Sequence, residues 1–96
     1  MYSYNIYNMI IKPSKRKEKR FQAIFPDNTT IHFGSKGAST FIDHGNKKKR
    51  ENYIKRHQVN EDWTKINPGS LSRFILWGDS SNIDKNFYDF KKKFNV

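Results

Sequence analysis

Two short stretches of the chain concentrate the side chains that could do chemistry, and both are basic. The first basic segment, residues 12–20, holds six Lys or Arg residues and one acid, and the second basic segment, residues 47–57, has the same count. The other residues carry seven cations and seven anions, so these two segments account for the whole formal charge of +10. Such concentrated positive charge is typical of proteins that contact the phosphates of nucleic acids.

Eleven basic side chains of the two segments are candidate phosphate contacts. Four consecutive cations at residues 47–50 repel one another at helical spacing, and no nearby acid is expected to relieve that repulsion. An arrangement that costs stability favours a binding role over the alternative, in which Lys-rich turns and helix faces are only solvated surface. We therefore expect binding of polyanions, foremost nucleic acid, without sequence specificity. The candidates are Lys15, Arg16, Lys17, Lys19, Arg20, Lys47, Lys48, Lys49, Arg50, Lys55 and Arg56.

Catalytic and metal-binding patterns are weak by comparison. The chain has no cysteine, which excludes disulfides, thiolate metal sites and thiol nucleophiles. Its three histidines are 12 and 13 residues apart, which matches no metal-binding signature. A metal-dependent nuclease ranks third among the functions, and we expect no enzymatic activity and no cofactor. The ligands of such a metal would be His32, His44 and His57 with Glu61 or Asp62.

Length and hydropathy limit how these segments can be held. Ninety-six residues allow a single domain, residues 1–96, with one modest core. The longest strongly apolar stretch, residues 74–77, is far shorter than the roughly 20 residues that span a bilayer. The N-terminal residues MYSYNIYNMIIK lack the pattern of a secretion signal. We therefore expect an intracellular chain that begins at Met1 and has no transmembrane segment.

Alternation of apolar and polar residues predicts short strands in the first third of the chain. The stretches Tyr4–Lys12, Phe21–Phe25 and Thr30–Phe33 show it, and tight links join them, which predicts an antiparallel meander. Residues 34–37, GSKG, lack the span of a phosphate-binding loop, so we predict a glycine turn there. One further extended piece is predicted at Thr40–Ile42.

Helical spacing dominates the rest of the chain. A helix is predicted at residues 46–58, a short one from an N-cap at Ser70 to Gly78, and a last one capped by Ser81. The fold class is therefore α+β, with an N-terminal antiparallel sheet of three to four short strands followed by two to three helices packed on it. If the sheet packs under the helix at 46–58, the two basic segments line one surface.

Aromatic residues supply much of the core and some candidate contacts. Tyr53 and Phe21 lie in or beside the basic segments, yet their apolar faces favour core packing over base stacking. Trp63, in the acidic connector NEDW, either packs that loop down or anchors an interface. The first strand has apolar side chains on both faces, so it could extend a partner's sheet. Candidate contacts with a protein partner are Tyr4, Ile6, Trp63 and Phe94.

The chain also resembles a known family in five ordered segments: IIKPSKRKEKRFQAIF, IHFGSKGASTFIDHG, KKKRENYIKRHQVNEDW, GSLSRFILWG and FKKKF. That family comprises small basic proteins of uncharacterised function encoded by large nucleocytoplasmic DNA viruses of the phycodnavirus, mimivirus and iridovirus kind. The resemblance implies a location in the virion and in the interior of the infected host cell, and it supplies no catalytic residues. Within that setting we expect a non-catalytic, virion-associated protein that binds DNA. The alternative is a minor capsid or cement protein that bridges acidic surfaces of capsid neighbours.

Overall fold

The computed structural model describes residues 8–96 and has an α+β fold, which confirms the predicted class. A three-stranded sheet precedes the helices along the chain. Its strands are β1 (Ile10–Pro13), β2 (Lys19–Ile24) and β3 (Thr30–Ser35). The helices are α1 (Phe41–His44), α2 (Lys47–His57), α3 (Pro68–Leu71), which continues as a π-helical segment (Ser72–Leu76), and α4 (Ile83–Phe94).

The sheet is the predicted antiparallel meander in the order β1-β2-β3. Ala23 is paired with Ile31, and Phe21 with Phe33, whose rings stack at 5.8 Å, so alternate residues of β2 and β3 face the core. The first strand begins at Ile10, later than predicted. The backbone N–H of Met9, the residue before it, donates to the carbonyl of Val96 at 2.7 Å. Residues 4–7 of the predicted strand lie outside the described part of the chain.

The prediction of an extended piece at residues 40–42 is wrong beyond Thr40. Thr40 itself is extended, with φ −123° and ψ 179°, but Phe41–His44 forms α1. The Asp43 carboxylate accepts hydrogen bonds from the Thr40 backbone N–H at 2.8 Å and from its hydroxyl at 2.9 Å. These bonds satisfy donors at the start of the helix, which is the usual role of polar side chains there.

The helix predicted at 46–58 is confirmed as α2, with Asn46 as its N-cap. Both predicted serine caps are wrong. Asn67 caps α3 and Asn82 caps α4, while Ser70 is the buried third residue of α3. The apolar stretch predicted to end at Gly78 is helical only to Leu76, and its second half has π-helical hydrogen bonding.

The core lies between one face of the sheet and the helices α3 and α4 with the π-helical segment. Within it, Gly34 is required, because it has φ +78° and an added Cβ would lie 2.9 Å from a methyl of Leu76. One contact of α2 with the residues packed around the core is made by Tyr53, which stacks on Trp77 at 4.3 Å. Within residues 8–96, no helix is long and apolar enough to cross a membrane. The buried core comprises Met9, Ala23, Phe25, Phe33, Leu71, Ile75, Leu76 and Phe90.

Candidate nucleic-acid interface and adjoining cleft

The first basic segment forms the β1–β2 hairpin, whose turn is fixed by hydrogen bonds. The Ser14 backbone N–H donates to the carbonyl of Arg20 at 3.1 Å, and the Lys15 backbone N–H donates to Oε1 of the buried Gln22 at 3.1 Å. The Ser14 hydroxyl is hydrogen-bonded to His32 Nδ1 at 2.7 Å. The side chains of the turn, Lys15 to Lys17, are therefore exposed on a backbone held in one conformation.

Arg20, at the end of this segment, faces inward. Its guanidinium donates to both oxygens of the Asp43 carboxylate at 2.7 Å, a bidentate pair that ties β2 to α1. The hydrogen bonds from Arg20 hold the pKa of Asp43 well below its usual range, and those from Thr40 add to the effect. Arg20 thus contributes to the fold, whereas Arg16 pairs with Glu18 at 3.1 Å on the open surface.

The second basic segment forms α2 and presents most of its cations to solvent. Lys47, Lys48, Lys49, Lys55 and Arg56 are exposed. The expectation that no acid relieves the repulsion among residues 47–50 is wrong for two of the four, because Arg50 pairs with Asp79 at 2.9 Å and Lys48 pairs with Glu51 at 3.2 Å. That pair is itself exposed, so the other four cations determine the charge of the helix surface.

Arg50 is the exception within α2, since its side chain points toward the core. Its Nε–H donates to the carbonyl of Gly78 at 2.8 Å and to that of Trp77 at 3.2 Å, and Nη2 donates to Asp79 at 2.9 Å. The Trp77 carbonyl also accepts from Arg73 Nη1 at 2.9 Å. Arg50 therefore satisfies carbonyl groups that follow the π-helical segment, where intrahelical donors are lacking.

Seven of the eleven predicted phosphate contacts have no acidic partner anywhere in residues 8–96. Three are in the first basic segment and four in the second, so each segment keeps a set of available cations. The seven are Lys15, Lys17, Lys19, Lys47, Lys49, Lys55 and Arg56.

A groove runs along one side of α2 and is basic; we call it the side groove. It has a volume of about 350 Å³, and Lys49, Asn52 and Arg56 of α2 form one of its walls. Ser39, His44 and Trp77 lie across from them. No acidic side chain lines this groove within the described chain, so an anion that entered it would meet two positive charges and no negative one.

A second cavity, which we call the central cleft, also has a volume of about 350 Å³ and lies where the two basic segments meet. Lys19 of the first segment lines it together with Tyr53 and His57 of the second. Its polar lining also includes Ser72, at the start of the π-helical segment, Glu61, in the connector after α2, and the hydroxyl residues Ser35, Ser39 and Thr40. Residues far apart in the chain thus converge on one site.

Four rings form a column beside the central cleft. Tyr53 is stacked between Trp77 at 4.3 Å and His57 at 4.1 Å, and His44 meets Trp77 edge-on at 5.5 Å. Because both faces of Tyr53 are covered, this ring turns only its edge to a ligand. Burial, with a smaller contribution from the negative charge of Glu61, raises the pKa of Tyr53 to about 12.

His57 is oriented by a carboxylate. Its Nδ1 lies 2.8 Å from Oε2 of Glu61, whose other oxygen accepts the indole N–H of Trp63 at 2.7 Å. Both carboxylate oxygens are therefore occupied, and Nε2 of His57 is the free ring nitrogen. Gly69 allows this arrangement, because an added Cβ would lie 2.8 Å from Oε1 of Glu61.

The other predicted site residues fall in separate places. The three histidines do not converge, and no group of three or more His, Asp or Glu side chains in residues 8–96 could hold a metal ion. Trp63 is half-buried, with Arg73 over its ring at 5.2 Å. Phe94 packs on Phe90 at 4.6 Å and is partly exposed. Tyr4 and Ile6 lie outside the described residues.

Sequence reasoning missed the roles of Glu61 and Ser72. The i, i+4 spacing of His57 and Glu61 was a usable signal, although Glu61 lies beyond the end of α2. Ser72 gave no signal, because only the tertiary fold brings it to the cleft. The sequence also did not reveal the structural roles of Arg20 and Arg50, because nothing in it distinguishes these two arginines from the cations beside them.

A family model matches part of the chain. The model of a family of unknown function (DUF5754) matches residues 9–57, just over half of the chain, from the start of the sheet to the end of α2. No curated protein and no solved structure is detectably similar.

Proposed function

The chain belongs to the DUF5754 family, whose function is unknown, and from that premise we propose that the protein is a non-catalytic binder of polyanions. Its ligand is nucleic acid, contacted through phosphates and without sequence specificity. The setting we propose, a virion and the interior of an infected cell, is supported only by the resemblance of its five segments to proteins of large DNA viruses.

The observation that supports this function most strongly is the surface of α2. Lys47, Lys49, Lys55 and Arg56 are exposed on one rigid helix and have no acidic partner in the described chain. Like charges held close together destabilise a helix, so a ligand that neutralises them gains the energy of that repulsion. Phosphates spaced along a backbone supply such neutralisation, and the release of counterions drives the binding.

The aromatic contacts support recognition of phosphates over recognition of bases. A protein that binds single strands by stacking offers free ring faces. Here Tyr53 is covered on both faces, and Phe21 stacks on Phe33 at 5.8 Å. These two rings, in and beside the basic segments, are packed within the fold, and we therefore expect binding to depend on charge.

A salt titration tests the proposal. With about six phosphates contacted, the logarithm of the affinity for a DNA duplex should fall with the logarithm of salt concentration at a slope of about −5. Several unrelated sequences of equal length should give the same slope and affinity. Absence of binding to duplex and single-stranded DNA at about 50 mM salt would contradict it.

A minor capsid or cement protein is the second candidate, and the position of β1 favours it. This strand is at the edge of the sheet, and the side chain of Ile10 is about half exposed. An edge strand of this kind can pair with a strand of a partner protein. A charged substitution, Ile10→Lys, should then abolish incorporation into capsids and leave DNA affinity intact or higher.

A further inference from the structure

The central cleft has features that the exposed cations do not explain. We infer that it is a binding site for a small phosphorylated molecule, whose phosphate group is held by Lys19, His57 and Ser72. This site is distinct from the surface of α2 and does not depend on nucleic-acid binding.

The unused polar groups of the cleft indicate what a ligand must offer. Lys19, Tyr53, His57 and Ser72 line one cavity, and the Lys19 ammonium, Nε2 of His57 and the hydroxyls of Tyr53 and Ser72 have no hydrogen-bond partner within residues 8–96. Three of these four groups carry a hydrogen to donate, and one of the three is a cation. A ligand that satisfies them must bring several acceptor oxygens and negative charge, which describes a phosphate.

The one acid in the cleft does not oppose an anion strongly. Both oxygens of Glu61 are engaged, one by His57 and one by the indole N–H of Trp63. The carboxylate fixes the imidazole with Nδ1 toward it, and this leaves Nε2 for the ligand. In the neutral imidazole, Nε2 accepts a hydrogen bond from a phosphate hydroxyl, and in the imidazolium the Nε2–H donates to a phosphate oxygen, so either form of His57 fits a phosphate.

Volume and shape favour a small molecule. About 350 Å³ is near the lower end of the range for pockets that hold small ligands. Leu76 and Trp77 supply an apolar wall beside the donors. Since both faces of Tyr53 are covered, a base or sugar would contact ring edges and this wall, and the phosphate provides most of the recognition.

The backbone conformation at the central cleft also supports a binding site there. Ser72 opens a π-helical segment, and the backbone N–H of Trp77 bonds to the Ser72 carbonyl at 3.0 Å. Short π-helical segments of this kind, called π-bulges, are uncommon in proteins overall, but those that occur are often at functional sites. Here the bulge places Ser72 in the cleft and Trp77 in the ring column.

Isothermal calorimetry of the full chain at fixed ionic strength tests the site, with inorganic phosphate, a nucleoside monophosphate and the matching nucleoside as probes. Phosphate and the monophosphate should bind and the nucleoside should not. Ser72→Ala and Lys19→Gln should each weaken binding about tenfold, the loss of one hydrogen bond to a charged group. Lys55→Gln removes the same charge from the outer surface of α2 and should leave phosphate binding unchanged.

Two outcomes would overturn the inference. One is the absence of binding of phosphate and of the monophosphate up to about 10 mM, the low-affinity end of specific binding. The other is an equal loss in Lys19→Gln and Lys55→Gln, which would mean diffuse attraction and no built site. Circular dichroism and melting of each variant show that it is folded. DNA titrations of the same proteins keep the two proposals separate, because Lys55→Gln should weaken DNA binding and Ser72→Ala should not.

Discussion

The two basic segments have equal charge in the sequence and different uses in the structure. In each segment one arginine has a structural role, but the two arginines have different hydrogen-bond partners. Arg20 forms a bidentate pair with a carboxylate of α1, whereas Arg50 donates mainly to two backbone carbonyls after the π-helical segment. The first contact joins two charges near the surface, and the second satisfies backbone groups that have few other donors.

The cations that are not used by the fold also differ between the segments. In the first they extend from a hairpin turn, and Arg16 already has a partner in Glu18. In the second, four unpaired cations are fixed along three turns of helix beside the side groove. We propose that the second basic segment supplies most of the polyanion contacts and that the first supplies fewer.

The largest expected effect is on the salt dependence of DNA binding, which should differ between variants of the two basic segments. Replacing Lys47, Lys49 and Lys55 by Gln should make the slope of log affinity against log salt less steep by about 3, because about one counterion is released per phosphate contact. Replacing Lys15, Arg16 and Lys17 by Gln should change it by about 2 or less, since Arg16 is paired. Filter binding or fluorescence anisotropy measures both, and a larger effect of the hairpin variant would reverse the comparison.

The next effect concerns the arginine that α2 turns inward. Arg50→Lys keeps the charge but loses the guanidinium fork, so the Gly78 and Trp77 carbonyls lose a donor and the free energy of unfolding should fall by about 2 kcal/mol. DNA affinity of the folded variant should not change. Lys49→Arg is the matched control on the exposed face and should alter the stability by less than about 0.5 kcal/mol. Urea denaturation gives both values.

The parts of the fold that can be predicted from the sequence are those set by interactions between residues close together in the chain. Alternation located β2 and β3, and the positions of Arg50, Tyr53, Ile54 and His57 located α2, because both patterns report which face is buried. Asparagine caps α3 and α4 where serine was predicted, since the two residues cap about equally well and only the final backbone decides between them.

The candidate site was less accessible to prediction than the fold. The high local content of Lys and Arg in the sequence identified the basic segments, but it does not show that the side chains of Arg20 and Arg50 turn inward. Their partners Asp43 and Asp79 lie 23 and 29 residues away in the chain. The central cleft depends on the meeting of Lys19, His57 and Ser72, which no local pattern encodes, and a π-helical segment has no sequence period of its own.

An acid titration compares the two ion pairs of the first basic segment. The folded-state pKa of Asp43 is lowered by Arg20, so the pair stabilises the fold fully above the ordinary carboxyl pKa, and this stability is lost as the pH falls below about 4. Asp43→Asn should lower the free energy of unfolding at pH 7 by about 1 kcal/mol and flatten that acid dependence. Glu18→Gln, which breaks the more exposed pair, should change neither measurably. Chemical denaturation from pH 7 to pH 3 provides the test, and an unchanged acid slope in Asp43→Asn would contradict it.

The smallest effect lies within α2 itself and tests whether its charges repel one another as binding requires. Lys48→Gln loses the exposed pair with Glu51 but also removes a cation from a crowded surface, so the two changes should nearly cancel, within about 0.5 kcal/mol. Glu51→Gln loses the same pair and removes the only acid of the helix, so it should destabilise the protein more than Lys48→Gln does. Because the lost pair is common to both, the difference between the two variants measures how the other cations of α2 repel the charge of Lys48 and attract that of Glu51. It should shrink as salt is raised toward about 1 M, where charges are screened within about 3 Å. Equal stabilities at low salt would mean that the cations of α2 are already well solvated and have little to gain from a polyanion.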